Sequence, residues 1–313
     1  MTTTTETEPQ VSPPTQRGDR IFAGLARAAG ISILVALAAV FIFLAVEGIP
    51  GVNMPASNYA PLDSFLPYVG RLLYGTIFTA VIALVIAVPF ALGIALFISH
   101  YAPPAIAVPV AYVVDLLAAV PSVVFGLWGA RNLAPYLVPV QQWLEDNLGF
   151  LPFFAGPASV TGKTSLTAGV VLAIMILPII TAISREIFAQ TPRLHEEAAL
   201  ALGATKWEMI RYAVLPYARS GIVSAVMLGL GRALGETMAV AMVLSASPVV
   251  TLNMISNTNP ATIASNIASS FAEATPDKLS VLIATGLVLF AFTFAVNFTA
   301  RWIVARSQRE FDR

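Results

Sequence analysis

The sequence predicts an all-α integral membrane protein with six transmembrane helices, and three observations carry that prediction. Of the 313 residues, 57% are hydrophobic and only 11% charged, with a mean hydropathy of +0.80, far from the composition of soluble domains. Six apolar stretches approach the ~20 residues that cross a bilayer as a helix. Lys and Arg, finally, gather in alternate connections between those stretches.

The stretches cover residues 21–46, 73–99, 105–128, 166–183, 221–244 and 279–304. The first runs beyond the ~7–15 residues of a signal-peptide core and no small-residue cleavage site follows, so it reads as a retained anchor. Residues 1–20, rich in Thr, Glu, Pro and Gln, lack the apolar surface needed to fold and are expected to form a disordered cytosolic tail. The remainder, 21–313, is expected to form a single membrane domain. Pro89, Pro109, Pro121 and Pro178 interrupt spans two to four and are expected to kink them. Three connections, about 47–72, 129–165 and 245–278, lie on one side. The last two carry amphipathic patterns, Val140, Trp143, Leu144 and Leu148 in one and Ile263, Ile267 and Phe271 in the other, which suit short interfacial helices.

Positive residues orient the spans, because Lys- and Arg-rich loops stay on the cytoplasmic side. With the N-terminus inside, Arg17, Arg20, Arg27, Arg185, Arg193, Lys206, Arg211, Arg219, Arg301, Arg306, Arg309 and Arg313 are cytosolic, and Arg71, Arg131, Lys163 and Lys278 are outside. The split is 12 to 4, with Arg232 inside a span. Both termini are therefore expected in the cytoplasm.

Several chemistries are set aside. Zero net charge and no basic run give no case for nucleic acid binding. The chain has no cysteine, hence no disulfide framework, thiolate metal site or cysteine nucleophile. His100 and His195, the two histidines, stand on separate loops, which is poor material for a metal cluster. Residues 156–164, GPASVTGKT, imitate a phosphate-cradling loop but have five residues between the glycines where that loop needs four, and no strand before them. No serine nucleophile motif occurs. No catalytic residue and no cofactor of its own are expected.

The connection between spans four and five, residues 191–216, is the most informative stretch. Thr191 suits an N-cap and Pro192 a first helical turn, and Gly203 suits the stop of that helix. Thr205 and Glu208 form a T-x-x-E capping box for a second short helix, which Pro216 would help to end. Trp207, Ile210 and Val214 would make one apolar face on it. The spacing Glu197-Ala198-Ala199, then Gly203, then Leu215-Pro216 resembles the E-A-A-x3-G-x9-I-x-L-P signature of permeases of ATP-binding-cassette (ABC) importers, with Ala213 at the isoleucine position. That resemblance implies a loop that docks on a separate ATPase, with Glu197, Ala198, Ala199, Gly203, Leu215 and Pro216 in the coupling element.

The likeness extends over the chain from about Gly75 to the end, carried by 75–80 (GTIFTA), 115–129 (DLLAAVPSVVFGLWG) and 227–239 (MLGLGRALGETMA). These segments resemble the permease family of high-affinity phosphate importers, of the PstC type. The resemblance implies a permease of the type-I ABC importer fold in the bacterial plasma (inner) membrane. It also implies a homologous second permease, an ATPase dimer that holds ATP and Mg, and an extracytoplasmic phosphate-binding protein. A permease for sulfate or molybdate has the same architecture. A self-sufficient secondary transporter would instead show broken helices repeated across two halves.

Span five adds a physical reading. Arg232 lies 13 residues beyond Arg219, or ~20 Å along a helix. An ionised side chain at that depth costs at least ~2.5 kcal/mol unless protein, water or a partner charge receives it. Glu236 would follow on the same face one turn later, either as an ion pair that locks helix packing or as part of an anion route that also uses Asp115. For Asp115 two readings stand: a partner on the second permease or a role in gating, and an acid kept neutral by burial or held by a local hydroxyl. Gly231 and Gly235, four apart, would let helices approach closely.

Overall fold

A computed structural model describes residues 17–311. The tail expected over 1–20 lies largely outside the described residues, and 17–20 are already helical. Twelve α-helices make up the described chain: α1 (Arg17–Gly48), α2 (Phe65–Leu96), α3 (Pro104–Ala118), α4 (Ser122–Trp128), α5 (Ala134–Leu148), α6 (Ser165–Ala189), α7 (Arg193–Ala201), α8 (Lys206–Met209), α9 (Leu215–Gly235), α10 (Met238–Val243), α11 (Ile263–Ser270) and α12 (Pro276–Phe311). Five helices among the described residues are long and apolar enough to cross a membrane, and a sixth crossing counts if α3 and the segment after it form one bent span.

That bend bears out the interruption expected at Pro121 and is sharper than a kink. The chain turns by 92° between Pro104–Ala118 and Ser122–Leu148. Pro121 holds the position before α4 in extended conformation, φ −60° and ψ 138°. Proline disfavours helical geometry in the residue before it and supplies no amide hydrogen, so the break falls where both effects coincide. Helix continues through Pro89, Pro109 and Pro178.

The core forms around α6, whose apolar stretch is 61% buried while none of that of α1 is. Lipid tails are as apolar as leucine, so close van der Waals contact between helices has to supply the association. The sequence provides it with small residues. Ala80, Ala83, Ala87 and Ala91 run down one face of α2 against Val171, Leu172, Met175, Ile176 and Ile180 of α6, and α9 and α10 close the cluster with Ala225, Ala233, Leu234, Ala239 and Val240. α1 lies outside this core along α12, where the rings of Phe41 and Phe290 are 5.9 Å apart.

Opposite the 191–216 loop, the segments 149–165 and 245–262 interlock. Ser159 N donates to Ile255 O at 2.8 Å, Met254 N to Phe153 O at 2.8 Å and Leu166 N to Met254 O at 2.9 Å. Asn253 Nδ2 donates to Gly156 O at 2.9 Å, and Ala158 N reaches the Glu145 carboxylate at 2.9 Å. The phosphate-loop look-alike is therefore part of a hydrogen-bonded cap, which ends where Thr164 accepts from Thr167 N and starts α6. Gly162 there has φ +69°, and a Cβ on it would run into the Ala134 carbonyl.

Candidate functional site

The two features singled out in the sequence are linked by one rod, Lys206–Gly235, with Arg232 near its far end and the α7 turn of the loop set just before its start. α7 ends as the sequence foretold. Gly203 takes φ +85° with open space around it, its N–H donates to Leu200 O at 2.9 Å, and the Ala204 N–H reaches back to Ala199 O at 3.2 Å. This double closure uses the last carbonyls of the helix and needs a left-handed residue, which glycine adopts without strain. The capping box is also formed. Glu208 N donates to Thr205 Oγ1 at 3.3 Å, while Thr205 N and its hydroxyl donate to Glu208 Oε2 at 2.8 and 2.7 Å. α8 stands ahead of the apolar stretch of α9, and there the Thr205 amide, seconded by its hydroxyl, holds the Glu208 pKa below the ordinary glutamate value.

Three details of the loop depart from expectation. α7 starts at Arg193 with Pro192, not Thr191, in the capping position. Ile210 and Val214 are fully buried while Trp207 is 54% exposed, so they do not share a face. A π-turn runs over Ile210–Val214 itself, which adds a residue to the helical repeat and rotates the helix beyond it. The same turn explains the third departure. Pro216 does not end the second helix, because the widened turn relieves the clash a proline makes with the preceding carbonyls. Helix continues from Lys206 to Gly235.

Glu197 and Ala198 are exposed and Ala199 is half-buried, packed against a cluster of Ala95, Phe188, Met209, Ile210, Val214 and Ala218. Leu215 belongs to that cluster's rim. Leu194 and Leu202 are 76% and 90% exposed, so the acid of the motif stands among large apolar side chains turned outward. Such a mixed surface is typical of protein interfaces.

At the far end of the rod, Arg232 lines an open cavity of about 950 Å3 together with Ser224, Met227, Gly231, Asn297 and Arg301. Asn297 and Arg301 are one turn apart on α12, which puts both on one face. In the sequence Arg301 counted only as a topology charge. The signal was present, since two polar residues spaced by four in an apolar helix call for a common polar surface.

Glu236 does not follow Arg232 along a helix. α9 ends at Gly235, and Glu236 is extended, with φ −70° and ψ 126°. Its carboxylate accepts from Ala239 N at 3.3 Å, at the start of α10. The expected one-turn contact between Arg232 and Glu236 is thereby replaced. The break is fixed by tertiary packing: a Cβ on Gly126 would come 2.7 Å from Ala239 Cα, so α4 lies directly on α10. Asp115 is elsewhere, with Oδ2 3.6 Å from Arg185 Nη2 on α6 and a side chain 53% exposed. Its partner is thus in this chain. Gly231 and Gly235 meet nothing within 4 Å of where a Cβ would stand, whereas Gly229, two residues before Gly231, faces Ile180 Cδ1 at 2.7 Å. The close helix approach expected of the first two is made by the third.

A family model described as binding-protein-dependent transport system inner membrane component matches residues 87–309. The chain belongs to this family. Its relatives include the phosphate transport system permease protein PstC 2 of Mycobacterium tuberculosis, 48% identical over 302 residues that cover 93% of each chain. PstC of Mycobacterium leprae is 44% identical, covering 92% of this chain and 94% of its own, and PstC of Xylella fastidiosa strain Temecula1 is 39% identical over 94% and 93%. Among solved structures, a chain of the inward-facing methionine ABC transporter MetNI aligns with a TM-score of 0.51 at 18% identity, over 76% of this chain and 93% of its own. A bacterial ABC transporter that imports alginate aligns with a TM-score of 0.50 at 18% identity, over 92% and 99%. The fold of this permease is accordingly that of ABC importer permeases.

Proposed function

We propose that this chain is the translocating permease subunit of an ABC importer for inorganic phosphate. One observation carries the reading: the turn at Gly203 joins the helix of the Glu197-Ala198-Ala199 motif to a single helical rod, Lys206–Gly235, whose far end sets Arg232 in an arginine-lined cavity. The relatives named as phosphate permeases support the substrate. Glu197 and the exposed Leu194 and Leu202 are the docking surface for a separate ATPase dimer, which holds ATP and Mg. A homologous second permease completes the pathway, and a phosphate-binding protein delivers the anion to the side opposite the loop. Both termini and the loop are cytoplasmic, as the 12-to-4 division of Lys and Arg favours.

Arg232 offers a planar fork with fixed positive charge, which matches tetrahedral oxyanions better than an ammonium does. With Glu236 engaged by the α10 backbone, that charge is left for the passing anion. Asp115 and Arg185 flank the route as a balanced pair. The test is uptake of radiolabelled phosphate by the assembled transporter in membranes, with excess sulfate as competitor. Wild type should take up phosphate undiminished by sulfate, and Arg232→Gln should abolish uptake at normal expression. Uptake intact in Arg232→Gln would overturn the role of the arginine, and competition by sulfate would overturn the substrate.

A further inference from the structure

The loop touches the bundle at two polar points besides its apolar seat, and both lie on one short segment. That segment is the π-turn Phe97–Tyr101, which ends the α2 rod. His100, with a side chain only 7% exposed, sets Nε2 3.6 Å from Glu196 Oε1 on α7. The next residue, Tyr101, lies under Lys206 of α8, whose Nζ is 4.8 Å from the ring centroid. Adjacent residues of one turn thus hold the two helices on either side of Gly203.

The imidazole is fixed in orientation. Ser99 Oγ lies 2.7 Å from Nδ1 and is itself anchored to Ala95 O at 2.8 Å, which sets the ring's rotation. Nε2 therefore faces the carboxylate. The edge of the ring is braced by Phe188 of α6, with centroids 6.4 Å apart. A carboxylate against a nearly buried ring, held in place by a hydroxyl and an aromatic, is a contact that would be costly to leave half made.

We propose that His100 and Tyr101 with Glu196 and Lys206 form a two-point clamp that makes α2 move with the coupling loop, so that ATPase motion reaches the α2–α6 core as well as α9. The inference rests on the proposed ATP-driven function. His100 and Glu196 act as positioning residues. α9 is connected covalently to the loop, but α2 precedes it by nearly a hundred residues and can follow it only through contacts. Apolar packing at Met209 and Ile210 resists separation yet lets surfaces slide, whereas paired polar contacts fix register.

The experiment uses the complete transporter reconstituted with its ATPase and binding protein, with ATP hydrolysis and phosphate uptake measured in parallel. His100→Glu places like charges together and should lower phosphate moved per ATP at least fivefold, with ATPase still co-purifying. Adding Glu196→Lys restores an attractive pair and should return the ratio to within twofold of wild type. A ratio unchanged in His100→Glu, or not restored in the double variant, would overturn the clamp. Hydrogen exchange gives a readout independent of transport: segments 97–101 and 193–201 should lose protection together in the single variant and regain it in the double. A wild-type assembly that moves no phosphate on ATP would instead sink the functional reading, while loss and return of protection in the two segments still decides the clamp.

Discussion

Arg301→Gln gives the sharpest test of the cavity as an anion station. A sphere of about 950 Å3 has a radius of about 6 Å, so an anion at its centre lies about that far from a charge on the wall. Coulomb's law at that distance gives ~0.7 kcal/mol per pair of unit charges in a water-filled space, and ~1.4 kcal/mol for a dianion. That corresponds to about tenfold in occupancy, and a drier cavity would raise it severalfold. Uptake of labelled phosphate at sub-saturating concentration, normalised to permease in the membrane, should therefore fall about tenfold or more. Arg301→Lys keeps the charge and loses only the fork, so it should stay well above Arg301→Gln. Uptake by Arg301→Gln within twofold of wild type would refute the reasoning, as would a lysine variant as damaged as the glutamine one.

The same geometry sets three further outcomes. Gly203→Ala meets open space, so its whole effect is backbone strain of about 1–2 kcal/mol at the left-handed position; exchange of the 199–204 amides should quicken and ATPase co-purification weaken, with Gly203→Asn closer to wild type. Thr205→Ala removes the hydroxyl half of the capping box and leaves the bond from its own amide to Glu208, a loss of about 1 kcal/mol, and should raise exchange at the Glu208 amide about fivefold, an unchanged rate contradicting the cap. Gly229→Ala presses on Ile180, about 1–3 kcal/mol if the core cannot yield, whereas Gly231→Ala meets nothing within 4 Å; the thermal midpoint in detergent should drop for the first only, and the reverse order would refute the assignment of the close helix contact to Gly229.

Spans and caps were legible in the sequence because their causes are local. A bilayer requires an unbroken apolar stretch whatever the rest of the chain does, and the closure at Gly203 and the Thr205–Glu208 box use partners within five residues. Where the cause is distant, the pattern misled. Hydropathy carries no direction, so Pro121 marks where the third span bends, but the 92° size of the turn is hidden inside an apolar run that scores as a single span. The spacing of Arg232 and Glu236 implies a shared face only while the helix persists, and α4 seated on α10 stops it at Gly235. Counting faces on the second loop helix failed at Trp207, because the cluster around Ala95 and Phe188 takes in Met209, Ile210 and Val214 and leaves Trp207 outside. Arg301 and Asn297 were visible as residues but not as a pair facing Arg232, because that needs the packing of α12 on α9.

The continuity from Lys206 to Gly235 changes what the loop can do. A loop that ended at Pro216 would have to push on the bundle through side chains alone. As built, the capping box, Leu215 and Pro216 belong to one helix with the arginine proposed to meet the anion, the Glu197 helix is joined to it through the turn at Gly203, and Arg232 lies 26 residues from Lys206, ~39 Å at ~1.5 Å per residue. A rod that pivots by about 10° at one end moves the other end by about 7 Å, more than the radius of the cavity, so a small rearrangement at the loop suffices to bring Arg232 toward or away from Arg301. The π-turn sets the limit of this lever. It is the one place along the rod where the hydrogen-bond ladder is loosened, and it is also where Ile210 and Val214 are fully enclosed. The surrounding cluster from α2 and α6 therefore stiffens the weak point of the rod. Movement that would otherwise be lost as local bending is carried into α9, and with it into the arginine.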